Sequence, residues 1–528
     1  MDGPFIDEVV QASERETQQF RSQVGHISRH SGVFFAGTIF TAALGYVFKV
    51  YLARVLGAEN LGVYYLGVTL IGFLGIFNTL GLPQSALRFV ASYQAAGNFK
   101  ALHALLWRGA ALLLAANVLF AAILLGLGRF VAVRFYHAPG LARYLPLFAL
   151  MMLFAVLSTF YSKVLAGYRD LKLRTLIVNF VGTPLNMVLA VLLISAGMGL
   201  RGYLVAQIVT SAMVCLLLVV AVWKFTPQGA RIFSQRGASP EKEIWSFSAA
   251  MLGVGFLSFL MSQVDRVALG FYRGARDVGI YSIAAALVVY LPLVLNSVNQ
   301  IFAPTIADLH TRGEHALLTR LFQSLTKWIM GLTLPLALVI IVFARPLMRI
   351  FGHEFEVGWP ILIIGAIGQL VNCGVGSVGN LLIMSGNQKR LIKVQIVMAA
   401  VMTISCAALV PLWGIYGAAV AAAIANVGTN VLNLLEVRKA LRISPYNRSY
   451  QHLVLPTAVT LAVILALKKY ASVFQHDWLA VGVTLALAYC IFPTVFYLIA
   501  GLDADDRLIA SALRSRMRTA LGRSGAQA

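Results

Sequence analysis

Gly57-Ala58-Glu59-Asn60-Leu61-Gly62-Val63-Tyr64 lies between two long apolar segments, and it returns as Gly274-Ala275-Arg276-Asp277-Val278-Gly279-Ile280-Tyr281 between two more. The offset is 217 residues. A second pair keeps almost the same register, with Gly199-Leu200-Arg201-Gly202 recurring as Gly414-Ile415-Tyr416-Gly417 at an offset of 215. Two matches at one register are the mark of an internal duplication. In a chain of many membrane spans, duplication points to transport, because two similar bundles can rock about a shared central cleft.

Composition agrees with the membrane setting. Of 528 residues, 59% are apolar and only 12% charged, too apolar for a soluble protein of this length. A span needs about 20 mostly apolar residues, and such runs are expected near residues 42, 71, 117, 154, 185, 212, 258, 290, 335, 368, 402, 424, 460 and 489. The predicted fold is therefore all-α and polytopic, with about 14 transmembrane helices. Two pseudo-symmetric six-helix lobes, at 32–225 and 246–440, are followed by two further spans within 441–500. A polar segment at 1–31, a linker at 226–245 and a tail at 501–528 complete the chain. Pro184, Pro292 and Pro335 fall inside spans, where proline is commoner than in soluble helices.

The formal charge of +22 is explained by its distribution. With an even number of spans, the side that holds both termini carries 29 of the 42 Lys and Arg residues, against 13 on the other. The richer side is cytoplasmic by the positive-inside rule, so both termini are expected inside, in the cytoplasmic (inner) membrane. The basic excess then reads as topology and contact with anionic membrane lipids, not as nucleic-acid binding. Residues 1–30 hold Asp7, Glu8, Glu14 and Glu16 where a cleavable signal would need an apolar core. Cys215, Cys373, Cys406 and Cys490 stand singly in apolar spans, with neither metal spacing nor a disulfide framework. They are expected to be small buried hydrophobes.

Charges inside spans carry the functional reading. Asp265, in the seventh span, is the one acid placed plainly in a span, where a charge costs roughly 2.5–3.5 kcal/mol and calls for a partner or a wet cavity. At the repeat offset its neighbour Arg266 corresponds to Lys49, each eight residues before its turn glycine. Pseudo-symmetry would set the two cations at matching positions of one cleft, fit for an anionic group. The competing explanation is snorkelling to the outer interface. Polar stripes add donors and acceptors. Asn179, Thr183 and Asn186 share a face at helical spacing, as do Asn426, Asn430 and Asn433, and Gln369 and Asn372 lie on the tenth span. Such amides commonly bond between helices, but a cavity passing a sugar head group would also use them. The chain has no phosphate loop, no H-E-x-x-H or C-x-x-C metal motif and no credible nucleophile elbow. Neither an enzyme nor a bound cofactor is expected. A sugar-polymer synthase is disfavoured by outer loops too short to hold a catalytic constellation.

The segment Tyr51-Leu52-Ala53-Arg54-Val55-Leu56-Gly57 through Tyr64, and Asp265-Arg266 followed by Gly274 to Tyr281, resemble the paired signatures of a family. It is the polysaccharide-transport (Wzx-like) branch of the MATE-related flippase superfamily, and the resemblance covers roughly residues 30–500. It implies a two-lobed helical bundle that flips undecaprenyl-pyrophosphate-linked oligosaccharide to the outer leaflet by alternating access. Polyprenyl-pyrophosphate-linked glycan is then the substrate, with a polysaccharide polymerase and export machinery as candidate partners. A lipid II-type flippase is one alternative. A MATE-type exporter of cationic compounds is another, and it should carry interior acids where this chain carries mainly cations.

Overall fold

The computed structural model describes residues 43–168, 170–228, 242–469 and 477–500, with Asp506. The segment 1–31, most of the 226–245 linker and nearly all of the 501–528 tail lie outside the described residues. Every regular element among the described residues is helical.

The helices run in order as α1 Ala43–Asn78, α2 Leu82–Ala95, α3 Phe99–Phe135, α4 Leu145–Gly167 and α5 Lys172–Phe225. After the linker come α6 Lys242–Tyr272, α7 Ala275–Val288, α8 Leu293–Thr311 and α9 His315–Val342. The short α10 Ala344–Arg349 precedes α11 Trp359–Val375 and α12 Val378–Met384. Then follow α13 Gln388–Trp413, α14 Ile415–Leu441, α15 Val454–Lys469 and α16 Asp477–Val495.

Among the described residues, eleven helices are long and apolar enough to cross a bilayer, or twelve if α7 and α8, bent by 54° at Pro292, count as one broken span. Three of the eleven exceed one crossing, α3 with 37 residues among them; the other two are α1 with 36 residues and α5 with 54, about 54 Å and 81 Å at helical rise, against a core of about 30 Å. The latter two contain left-handed glycines, Gly57 (φ 74) in α1 and Gly197 (φ 83) and Gly199 (φ 51) in α5. The expected count of fourteen therefore rests on these two helices each turning over at its glycine.

Those glycines explain the duplicated motifs. Their repeat mates Gly274 (φ 91) and Gly414 (φ 55) share the left-handed backbone, which a side chain would strain. The second glycine of each motif serves packing. A Cβ on Gly62 would lie 1.7 Å from the Ala275 carbonyl oxygen, and one on its mate Gly279 would lie 1.9 Å from that of Ala58. The two helix starts thus cross backbone on backbone, each presenting Ala-x-x-x-Gly to the other, the small-residue contact that lets membrane helices approach closely. In the other pair, a Cβ on Gly202 would meet Leu193 backbone at 3.0 Å, and one on Gly417 would meet the Leu409 oxygen at 2.1 Å. Both motifs are tight helical hairpins.

The chain forms two compact units. One comprises residues up to Tyr51 with Ile283–Val401 and Ala419 onward, and the other Leu52–Ser282 with Met402–Ala418. They are drawn across the repeats: the second contains the opening helix of the later repeat, α6, together with most of the earlier one. Within that unit α6 runs antiparallel to the second half of α1. Phe73 meets Phe259 at 5.5 Å between ring centroids, Thr69 lies 3.4 Å from Gln263, and Gly255 approaches Ile76. The first unit has its own core around Phe302, Leu318, Phe322 and Leu381, all fully buried. It also contains the ion pair Lys327–Asp506 at 2.8 Å, with side chains only 3% and 0% exposed, and Trp328 Nε1 donates to the same carboxylate at 2.9 Å. Beside it a cavity of about 290 Å³ is lined by Lys327, Trp328, Pro335, Leu453, Tyr489 and Phe492.

Cys215, Cys373 and Cys406 are buried, but Cys490 is exposed. The expectation of burial fails there because α16 turns much of its apolar surface outward, as Leu479, Val483 and Leu487 also show.

Candidate functional site

Asp265 and Arg266 are neighbours on α6, so their side chains leave the helix about 100° apart and do not face each other. Asp265 turns inward and is 7% exposed. Its carboxylate accepts from the Tyr281 hydroxyl at 2.6 Å and from the Arg266 backbone N–H at 2.8 Å. No Lys, Arg or His nitrogen among the described residues comes within ion-pair distance of it.

Arg266 is half-buried and held by neutral groups. Nε donates to Ser282 Oγ at 3.1 Å, and Nη1 donates to Gln263 Oε1 at 2.8 Å and to the Ser262 carbonyl at 3.0 Å. The guanidinium also lies 5.9 Å from the centre of the Tyr65 ring. Nη2 has two N–H donors, and among the described residues neither is taken. An arginine oriented this way keeps its full charge and one edge of its fork for an incoming anion.

Lys49, in the other unit, is half-buried with its ammonium 5.3 Å from the centre of the Tyr290 ring. Tyr290 belongs to the break between α7 and α8, and its hydroxyl lies beside Gly45, one helical turn before Lys49. Irregular backbone at membrane depth is tolerated where protein buries it or where it lines a cavity. Nearby, Tyr46 meets Phe351 edge to face at 5.4 Å. As with Arg266, no carboxylate among the described residues pairs with Lys49.

Gln369 and Asn372 are half-buried on α11 and bonded to each other, Asn372 Nδ2 donating to Gln369 Oε1 at 2.9 Å. Asn179 and Asn186 do not share the regular face their spacing suggests, because Leu176–Gly182 forms a π-helical stretch whose wider turn shifts the phase between them. Asn179 is exposed and Asn186 half-buried; neither side chain bonds to a described residue. On α14, Asn430 Nδ2 donates to the Asn426 carbonyl at 2.9 Å and to its side-chain oxygen at 3.0 Å, while the buried Asn433 Oδ1 has no partner among the described residues.

The partners of the two cations escaped the sequence reading. Tyr281, the partner of Asp265, was legible as the repeat mate of Tyr64, but Ser282, Gln263, Tyr65 and Tyr290 are ordinary span residues until the helices are in place. A third repeat match was missed too. Arg129, Phe135 and His137 recur as Arg345, Phe351 and His353 at an offset of 216. In the later copy Glu356 gathers Arg345, Arg349 (3.3 Å) and His353 (3.1 Å). Hydrogen bonding to that carboxylate raises the pKa of Arg349 above the ordinary arginine value.

The sequence profile described as polysaccharide biosynthesis protein matches residues 27–310, more than half of the chain. The succinoglycan biosynthesis transport protein ExoT of Rhizobium meliloti is 26% identical over 356 residues, covering 65% of this chain and 66% of the relative. The chain is thus matched to just under two thirds of that relative's length. Among solved structures, the lipid II flippase MurJ in an inward closed conformation superposes with a TM-score of 0.67 at 15% identity, covering 88% of this chain and 99% of the other. An inward-facing multidrug resistance MATE family transporter of the MOP superfamily gives 0.61 at 17%, covering 75% and 94%. At such identities the likeness is one of fold.

Proposed function

This chain belongs to the polysaccharide biosynthesis protein family, and on that footing we propose that it flips undecaprenyl-pyrophosphate-linked oligosaccharide repeat units across the cytoplasmic membrane by alternating access. The observation that carries the reading is the state of the two repeat-matched cations. Arg266 is held by hydroxyl, amide and carbonyl oxygens, and Lys49 by an aromatic face, and among the described residues no carboxylate pairs with either. Uncompensated cations in an apolar bundle are costly, and an arriving pyrophosphate offsets that cost. A sugar head group cannot cross an apolar layer of about 30 Å unaided. The polyprenyl tail can stay in lipid, so the protein need only supply a polar, positive path for the head. Asn179, Asn186, Gln369 and Asn372 are the proposed donors and acceptors toward the sugars. In this reading both termini face the cytoplasm, and a polysaccharide polymerase and export machinery receive the product.

One observation favours a second reading. Asp265 is buried, and no cation among the described residues pairs with it, as a site for a cationic compound or a coupling ion would be. Proteoliposomes separate the two. Flipping of polyprenyl-pyrophosphate oligosaccharide, read by access of an external glycosidase, is expected without efflux of a cationic dye. Dye efflux with no flipping would establish the MATE-type reading instead. A lipid II-type substrate is distinguished in the same assay by supplying that lipid.

A further inference from the structure

We propose that Ser85, Arg88, Glu243 and Ser248 form a releasable latch that closes the cytoplasmic end of the seam between the two repeats, and that its parting opens the path to substrate. The proposal rests on the transport reading above. Ser85 and Arg88 lie on α2, which continues the earlier repeat, and Glu243 and Ser248 lie on the first turns of α6, which opens the later one. Both helices belong to the same compact unit, and the Lys and Arg distribution assigns this end to the cytoplasm.

The two ends of the seam are made differently. At the far end Gly62 and Gly279 bring backbone against backbone beside fully buried Ala58 and Val278. Separation there would uncover this buried apolar surface. At the latch end the contact is polar. Ser85 Oγ and Ser248 Oγ are 2.6 Å apart and buried. The left-handed Gly81 (φ 68) lets the chain approach so closely that a Cβ there would lie 2.3 Å from the Ser248 carbonyl oxygen. Arg88 Nη2 bonds Glu243 Oε1 at 3.0 Å, and the guanidinium covers the rings of Phe247 and Phe89 at 4.9 Å and 5.1 Å.

On opening, each hydroxyl can take a water in place of its partner, and the ion pair, with side chains 53% and 61% exposed, is already largely solvated, so it holds weakly. Between Gly62 and Gly81 the chain advances about 30 Å at helical rise. A small rotation about the glycine crossing therefore becomes a wide separation at the serines. The glycine crossing acts as pivot and the serine contact as catch.

Two readouts test this. In inverted membrane vesicles, a charged maleimide added from the cytoplasmic side should label Ser248→Cys although Ser248 is buried here, and several-fold faster when Arg88→Ala is added. The exposed Trp245→Cys serves as accessibility control, and peptide mapping discounts the native cysteines. No labelling of Ser248→Cys while Trp245→Cys labels fully would overturn the latch, whatever the substrate is. In proteoliposomes, Ser85→Cys/Ser248→Cys sets two thiols where the hydroxyl oxygens stand 2.6 Å apart. Oxidation should abolish flipping and dithiothreitol should restore it, with each single variant indifferent to both. Undiminished flipping by fully cross-linked protein would also overturn it. If wild-type protein flips nothing, the transport reading falls while the labelling result still decides whether the contact opens.

Discussion

Arg266 is fixed by Ser282, Gln263 and the Ser262 carbonyl, so its charge is aimed before any ligand arrives. Replacing Arg266 or Lys49 by Ala is expected to lower flipping by at least about tenfold, as losing one partner of a desolvated charge pair does. Membrane insertion and expression should be unchanged. Glu should be worse than Ala at either position, and Lys at 266 should keep part of the activity, since an ammonium lacks the planar fork. Flipping rates in reconstituted vesicles, normalised to inserted protein, check this order. Lys327 is a different case. Its ion pair with Asp506 is buried, so Lys327→Ala takes the ammonium away from a buried carboxylate and should destabilise the protein by about 3–5 kcal/mol. The double variant Lys327→Ala/Asp506→Ala should recover much of that loss in a thermal-shift series in detergent. Isolated charges were visible in the sequence because they stand out against apolar runs. Their neutral partners were not, since Ser, Tyr and Gln in spans are common and only the folded helices select which of them meet a cation.

At the scale of the element, turn chemistry governs. Gly62→Ala and Gly279→Ala each place a methyl within 2 Å of a carbonyl oxygen across the helix crossing. Each should cost at least the roughly 1–3 kcal/mol of overpacking, read as loss of folded protein in fluorescence-detection size exclusion. Gly75→Ala, where an added Cβ meets nothing within 4 Å, should be tolerated. Pro292 marks the 54° break that presents Tyr290 to Lys49. Pro292→Ala is expected to reduce flipping more than expression, because a straighter helix withdraws the ring. The paired glycine motifs were readable as turns because Gly is the residue that left-handed backbone demands. The π-helical stretch Leu176–Gly182 was not readable, since no residue type marks it, and so the face assigned to Asn179 and Asn186 was out of phase.

For the whole molecule, composition and the apolar runs marked an all-helical membrane bundle, and the duplication marked where its glycine turns recur. What it did not give was the adjacency of α6 with α1, a pairing between residues about 190 apart that no local pattern encodes. The span count blurred where helices continue through a glycine turn, as α1 and α5 do. Orientation is testable separately: a reporter fused at His137 should label from outside, and one fused at residue 235 from inside, with the reverse pattern overturning the assignment. The central claim is that two repeat-matched cations carry a pyrophosphate-linked glycan across the bilayer. The most direct measurement is the initial rate at which external glycosidase gains access to polyprenyl-pyrophosphate oligosaccharide in proteoliposomes, for wild type and for Lys49→Ala/Arg266→Ala at equal reconstitution. Wild type is expected to expose the lipid well above the protein-free rate while the double variant falls to it. Equal rates for the two proteins would contradict the account.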